Sequence, residues 1–148
     1  MYIHPAVREI IEERVPFHKL LGLKLESVEH GRAALRIEFQ EQLIGNFMAR
    51  ILHGGVISTV LDTAGGLSVL SMLDVAQQRR GIGTVDMRVD FLRPGKGRHF
   101  VGRSEVIRPG RILVSTRMEM VNDEGTLIAI GQAIYRVSTS ETAMPMNV

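Results

Sequence analysis

From Gly54 to about Leu73 the only charged residue is Asp62. Val56, Ile57, Val60, Leu61, Ala64, Leu67, Val69, Leu70, Met72 and Leu73 are apolar there, and most of the remainder is Gly, Ser and Thr. Apolar residues on nearly every face predict a helix buried on nearly every side. Twenty helical residues span about 30 Å, enough to cross a domain. The rest of the chain must therefore wrap around this helix.

The flanking segments supply the wrapping. Val85, Met87, Val89 and Phe91 alternate with Asp86, Arg88 and Asp90, the period of a strand with one buried face, and Pro94-Gly95 ends it. Phe100 to Arg108 reads as a second strand, broken at Pro109-Gly110. Ile112, Val114, Thr116, Met118 and Met120 mark the buried face of a third, and Asn122 to Gly125 a turn. Leu127 to Val137 is apolar in part on both faces, which predicts an interior strand. Upstream, Leu23–Glu29 and Ala33–Phe39 form two strands joined at His30-Gly31. An N-terminal helix over residues 1–14 is stopped by Pro16, and one more turn, Phe17 to Leu21, is closed by Gly22. Residues 40–53 hold no clean period, Gly45 and Asn46 mark a loop, and residues 139–148 read as a loose tail. Few helices beside a run of strands predict a single α+β domain over residues 1–148. Its antiparallel sheet of six strands wraps around one long central helix.

With 148 residues, 45% of them hydrophobic, the chain can bury a core. It has no uncharged apolar run of about 18 residues, so no membrane-spanning helix and no membrane partner are expected. MYIHPAVREI has no signal-peptide apolar region, which points to the cytoplasm. Zero cysteines exclude disulfides, thiol nucleophiles, zinc ribbons and iron–sulfur clusters. His4, His18, His30 and His99 share no metal-ligand spacing, so neither metal nor cofactor is expected. The 18 Lys and Arg residues are spread along the chain and Trp is absent, unlike a nucleic-acid binder with its basic stripe and stacking aromatics. All the cations but Lys19, Lys24 and Lys96 are arginine, which suits a small phosphorylated ligand.

The chemistry concentrates between His53 and Asp62. A loop enters the buried helix through Gly54-Gly55. The first N–H groups of a helix lack internal partners and sit at the positive end of its dipole. Glycines let a ligand approach them closely, and such a donor can contribute about 3 kcal/mol to an oxyanion-like transition state. The same glycines also serve a helix start under close packing. Asp62 is a poor helix-interior residue and costly if buried without a partner. It is either paired, with Arg88 or Arg93 as candidates, or on a wet rim, or in a reactive pocket. Gly55 and Asp62 are seven residues apart, about 10 Å along the axis. If both act on one carbonyl, they come from two copies of the chain, and the protein is a symmetric dimer with two sites.

His53-Gly54-Gly55 followed by Asp62, and then by the strand Thr84 to Pro94, resembles the hotdog-fold thioesterases of the PaaI-like group, in the 4-hydroxybenzoyl-CoA thioesterase superfamily. The likeness runs over residues 15–138. It implies a hotdog fold and an acyl-CoA thioesterase. Asp62 would be the general base or nucleophile, and the Gly55 N–H of the partner chain the donor that polarises the thioester carbonyl. His53, beside Gly54, would shape the loop and help hold substrate. Asn46 stands one residue upstream of the group's positioning Asn, and Arg50 stands where a glycine is common. Thr84 takes the place of the residue that positions the attacking water. Arg93, Arg108 and Arg111 lie at strand ends, either holding CoA phosphates or simply solvated. The implied assembly is a homodimer, or a dimer of dimers. A low aromatic content of 5% beside the apolar helix suits a medium- or long-chain aliphatic acyl group. Two other readings are open: a hotdog enoyl hydratase or dehydratase, and a non-catalytic acyl-CoA-binding module.

Overall fold

A computed structural model of the chain describes residues 6–139. Residues 1–5 of the expected N-terminal helix and the tail beyond residue 139 lie outside it. The helix begins as α1 (Ala6–Glu9) and continues as a π turn, Ile10–Arg14. Pro16 starts the next turn, α2 (Pro16–Leu21), and Gly22 closes it at φ 66°, a left-handed conformation suited to glycine. The hairpin β1 (Lys24–Glu29) and β2 (Arg32–Glu38) follows. Within residues 40–53 the chain forms a 3-10 turn, Glu41–Leu43, and a small ribbon of β3 (Ile44–Asn46) and β4 (Ile51–Leu52).

The central helix, α3, runs Gly54–Leu70 and stops short of Leu73. A separate helix, α4 (Val75–Arg80), then forms, which the apolar pattern did not reveal. Its cause is a capping box. The Asp74 carboxylate accepts from the Gln77 N–H at 2.8 Å, and Gln77 Oε1 accepts from the Asp74 N–H at 3.1 Å. Strands β5 (Ile82–Phe91), β6 (His99–Arg108), β7 (Leu113–Asn122) and β8 (Leu127–Val137) complete the fold.

The large sheet has the order β1-β2-β6-β7-β8-β5, antiparallel throughout, with β8 in the interior. Helix α3 packs against all six of its strands. Val60, Leu61 and Ala64 are fully buried there, with Leu35, Ile37, Phe100 and Met120 in the same core. Gly102 of β6 permits the close approach, since a Cβ at that position would lie 2.7 Å from Val60 Cγ1. The helix is not apolar all round, however. Ser58, Thr59, Asp62 and Thr63 form a half-buried strip. Its hydroxyls donate back to the carbonyls of Gly54, Gly55 and Thr59 at 2.8–2.9 Å, satisfying themselves within the helix.

Strand β5 departs from strict alternation. It is the edge of the sheet, and Val85 (57% exposed) and Phe91 (54%) are uncovered. Thr84 pairs with Tyr135 and Asp86 with Ile134, so Val85 is an inserted residue. This bulge inverts the alternation: Thr84 faces the helix, as do Met87 and Val89, while Val85 turns outward. No helix among the described residues is long and apolar enough to cross a membrane.

Candidate active site

Asp62 lies two turns into α3, on its half-buried strip. Thr84 Oγ1, re-aimed by the β5 bulge, donates to Asp62 Oδ1 at 2.8 Å. The Tyr135 hydroxyl, reaching up from β8, lies 3.1 Å from the same Oδ1 and 2.8 Å from the Asp62 main-chain oxygen. The suggested arginine partners are elsewhere. Arg88 pairs with Asp90 at 3.0 Å, and Arg93 donates to the Leu127 carbonyl at 3.0 Å. The carboxylate is thus oriented by two neutral donors and not neutralised by a cation. Oδ2 receives no hydrogen bond from the described residues, yet no buried side-chain oxygen among them lacks a partner. Oδ2 is therefore the oxygen open to solvent.

Local sequence pattern does not single out Tyr135. It is 1% exposed. Burial, then the charge and hydrogen bond of Asp62, push its phenol far above the ordinary tyrosine range, so it remains a proton donor. It fits because α3 carries glycines beneath it: a Cβ on Gly65 would stand 2.1 Å from the Tyr135 oxygen. The signal in the sequence was a lone tyrosine in an apolar strand, which must find a hydroxyl partner, together with a Gly65-Gly66 gap three residues past the carboxylate. His18 of α2 was also unforeseen. Its Nδ1 lies 3.2 Å from the Ile11 carbonyl and its Nε2 3.3 Å from Thr63 Oγ1. Burial lowers its pKa, opposed by the Ile11 carbonyl and by the charge of Asp62.

The helix N-terminus is built differently from expectation. His53 is the N-cap, and its Nδ1 accepts from the Gly55 N–H at 2.8 Å. Its carbonyl accepts from the N–H groups of Val56 (2.9 Å) and Ile57 (3.3 Å). The Gly55 N–H is therefore engaged within the protomer, while that of Gly54 has no acceptor among the described residues. A side chain at either glycine would require its neighbour to shift. A Cβ on Gly55 would lie 2.9 Å from His53 Nδ1, and one on Gly54 3.2 Å from the Phe91 ring. Asn46 ends β3, and its Oδ1 accepts from the Ala49 N–H at 3.0 Å, tying down the following loop. Arg50 in that loop adopts φ 51°, which explains why a glycine suits its position.

These residues fall into two groups. Gly54 adjoins Phe91 at the end of β5, whereas Asp62 adjoins Thr84 near its start. The arginines divide likewise. Arg93 follows β5 and meets the start of β8, while Arg108 and Arg111 flank the turn whose Ile112 carbonyl accepts from Val137 at the end of β8. The fold does not bring the three arginines together. No group of three or more His, Asp or Glu residues suited to a metal occurs among the described residues.

Residues 49–129 match the family model of the thioesterase superfamily. The chain is 37% identical over 141 residues to the medium/long-chain acyl-CoA thioesterase YigI of Escherichia coli K12, covering 88% of this chain and 91% of that protein. A crystal structure from Shewanella oneidensis, related to the thioesterase superfamily, superposes with a TM-score of 0.83 at 42% identity, covering 89% of this chain and 93% of that one. The PaaI protein of the E. coli phenylacetic acid degradation operon gives a TM-score of 0.74 at 22% identity over 84% and 86% of the two chains, a likeness of fold.

Proposed function

The chain belongs to the thioesterase superfamily, and from that premise we propose that it hydrolyses medium- or long-chain acyl-CoA to the free acid and CoA. The observation that carries this reading is the Asp62 carboxylate, anchored through Oδ1 by Thr84 and Tyr135 with Oδ2 open. In our scheme Oδ2 takes a proton from water as the water oxygen bonds to the thioester carbon. The tetrahedral intermediate then expels CoA thiolate, which recovers the proton from Asp62. A thioester carbonyl is reactive enough that a positioned carboxylate and an oxyanion donor suffice, so the reaction calls for no cofactor. The chain length follows that of the medium/long-chain acyl-CoA thioesterase YigI of E. coli, to which the chain is 37% identical.

The oxyanion donors in this scheme are the N–H groups of Gly54 and Gly55 from a second copy. A developing oxyanion is a stronger acceptor than a neutral imidazole and would draw the Gly55 N–H away from His53. A homodimer follows from the separation of the two groups. Strand β5 is an unpaired edge with Val85 and Phe91 uncovered. Antiparallel pairing of β5 with its copy, about a two-fold near the strand centre, sets the Gly54 end of one protomer beside the Asp62 end of the other. Arg93 of one copy then approaches the Arg111 turn of the other, a cationic rim suited to CoA phosphates.

Free-thiol release from a panel of acyl-CoAs, with wild type beside Asp62→Asn, tests the reaction. Hydrolysis lost in the variant supports it. No release from any acyl-CoA despite binding would leave an acyl-CoA-binding module, and hydration of enoyl-CoA would point to a hydratase. The shared site is tested by mixing Asp62→Asn with Gly55→Pro, which removes the donor N–H and with it the bond to the His53 cap. Random reassembly of two inactive variants should restore about a quarter of wild-type activity. A mixture that stays inactive refutes the two-copy site.

A further inference from the structure

We propose that Tyr135 is a positioning residue of the hydrolytic site, fixing by its hydroxyl which oxygen of Asp62 works. The inference rests on the thioesterase reading above. Thr84 and Tyr135 both address Oδ1, at 2.8 and 3.1 Å, and neither addresses Oδ2. A carboxylate held through one oxygen by two donors cannot turn about its Cβ–Cγ bond without breaking both contacts. The attacking water therefore meets a fixed Oδ2.

The hydroxyl has one proton and two acceptors, the Asp62 carbonyl at 2.8 Å and Oδ1 at 3.1 Å. Ionised Asp62 draws that proton toward Oδ1, and protonated Asp62 leaves it with the carbonyl. In either state the hydroxyl stays bonded to Asp62, and Oδ2 is left to accept a proton from water. The carbonyl contact also ties the ring to the helix turn that carries Asp62. The two glycines below the ring, Gly65 and Gly66, leave the space this requires. Phenylalanine would fill the same gap with its ring, and what it would lack is the hydroxyl that meets Asp62. Among the described residues, His18 of α2 also interacts with the charge of Asp62.

The test compares Tyr135→Phe with wild type for acyl-CoA hydrolysis across pH, each also in a His18→Gln background so that titration of His18 does not enter. Loss of a donor to an ionised carboxylate should lower kcat about tenfold with KM nearly unchanged, and raise the acid limb of the kcat profile by about half a pH unit or more. Site-specific difluorotyrosine at position 135 keeps the ring and donates more strongly, so it should move that limb downward. This second variant decides the matter if Tyr135→Phe fails to fold. If wild type is active and Asp62→Asn is not, but neither Tyr135 variant moves the acid limb, the positioning role is wrong while the thioesterase reading stands. If wild type hydrolyses no acyl-CoA, both fall together.

Discussion

Replacing Gly65 with alanine sets two opposed effects against each other. In an ordinary helix interior, Gly→Ala stabilises by about 0.5–1 kcal/mol through backbone entropy. Here the new Cβ would stand 2.1 Å from the Tyr135 oxygen and 2.8 and 2.9 Å from ring carbons Cζ and Cε2. The clash is with a fully buried ring, not with the end of a flexible chain. Overpacking of this kind costs about 1–3 kcal/mol. A displaced hydroxyl also loses its contacts with Asp62, about 1 kcal/mol each. The steric and hydrogen-bond costs exceed the entropy gain, leaving a net loss of about 2–4.5 kcal/mol. In a domain of this size that lowers Tm by about 6–14 °C. The assay is thermal and urea unfolding at fixed protein concentration, because the stability of the proposed dimer would depend on concentration. A Gly65→Ala protein as stable as wild type would show that Tyr135 does not occupy the groove over Gly65.

Three further outcomes are expected. His53→Ala removes the acceptor for the Gly55 N–H and should cost about 1 kcal/mol in urea unfolding; an unchanged midpoint would deny it a capping role. The lowered pKa of His18 means the folded state binds protons less readily than the unfolded one, so stability is lost as pH falls below about 6.5 toward the folded value. The urea midpoint of His18→Gln should fall less over that window, and parallel curves would count against a buried neutral imidazole. Val85→Glu puts a charge on the uncovered edge of β5 and should give a monomer without hydrolytic activity by sedimentation and thiol release, whereas an intact dimer would move the interface elsewhere.

The apolar stretch after Gly54 is enough to specify a buried helix, because burying that much surface leaves few alternatives to a sheet wrapped around it. Turn residues and alternation likewise specify most strands, and the spacing of His53, Gly54, Gly55 and Asp62 marks where chemistry would lie. These are local or periodic properties, written residue by residue. The partners of Asp62 are not of that kind. Tyr135 is 73 residues away in sequence and meets Asp62 only because β8 lies under α3. Strict alternation would aim Thr84 away from the helix, and only the pairing of β5 with β8 creates the bulge that turns it back. Engagement of the Gly55 N–H by His53 depends on a side-chain rotamer, about which spacing is silent. Sequence periodicity determines which faces are buried; the register between strands distant in sequence decides which side chains meet across the buried face.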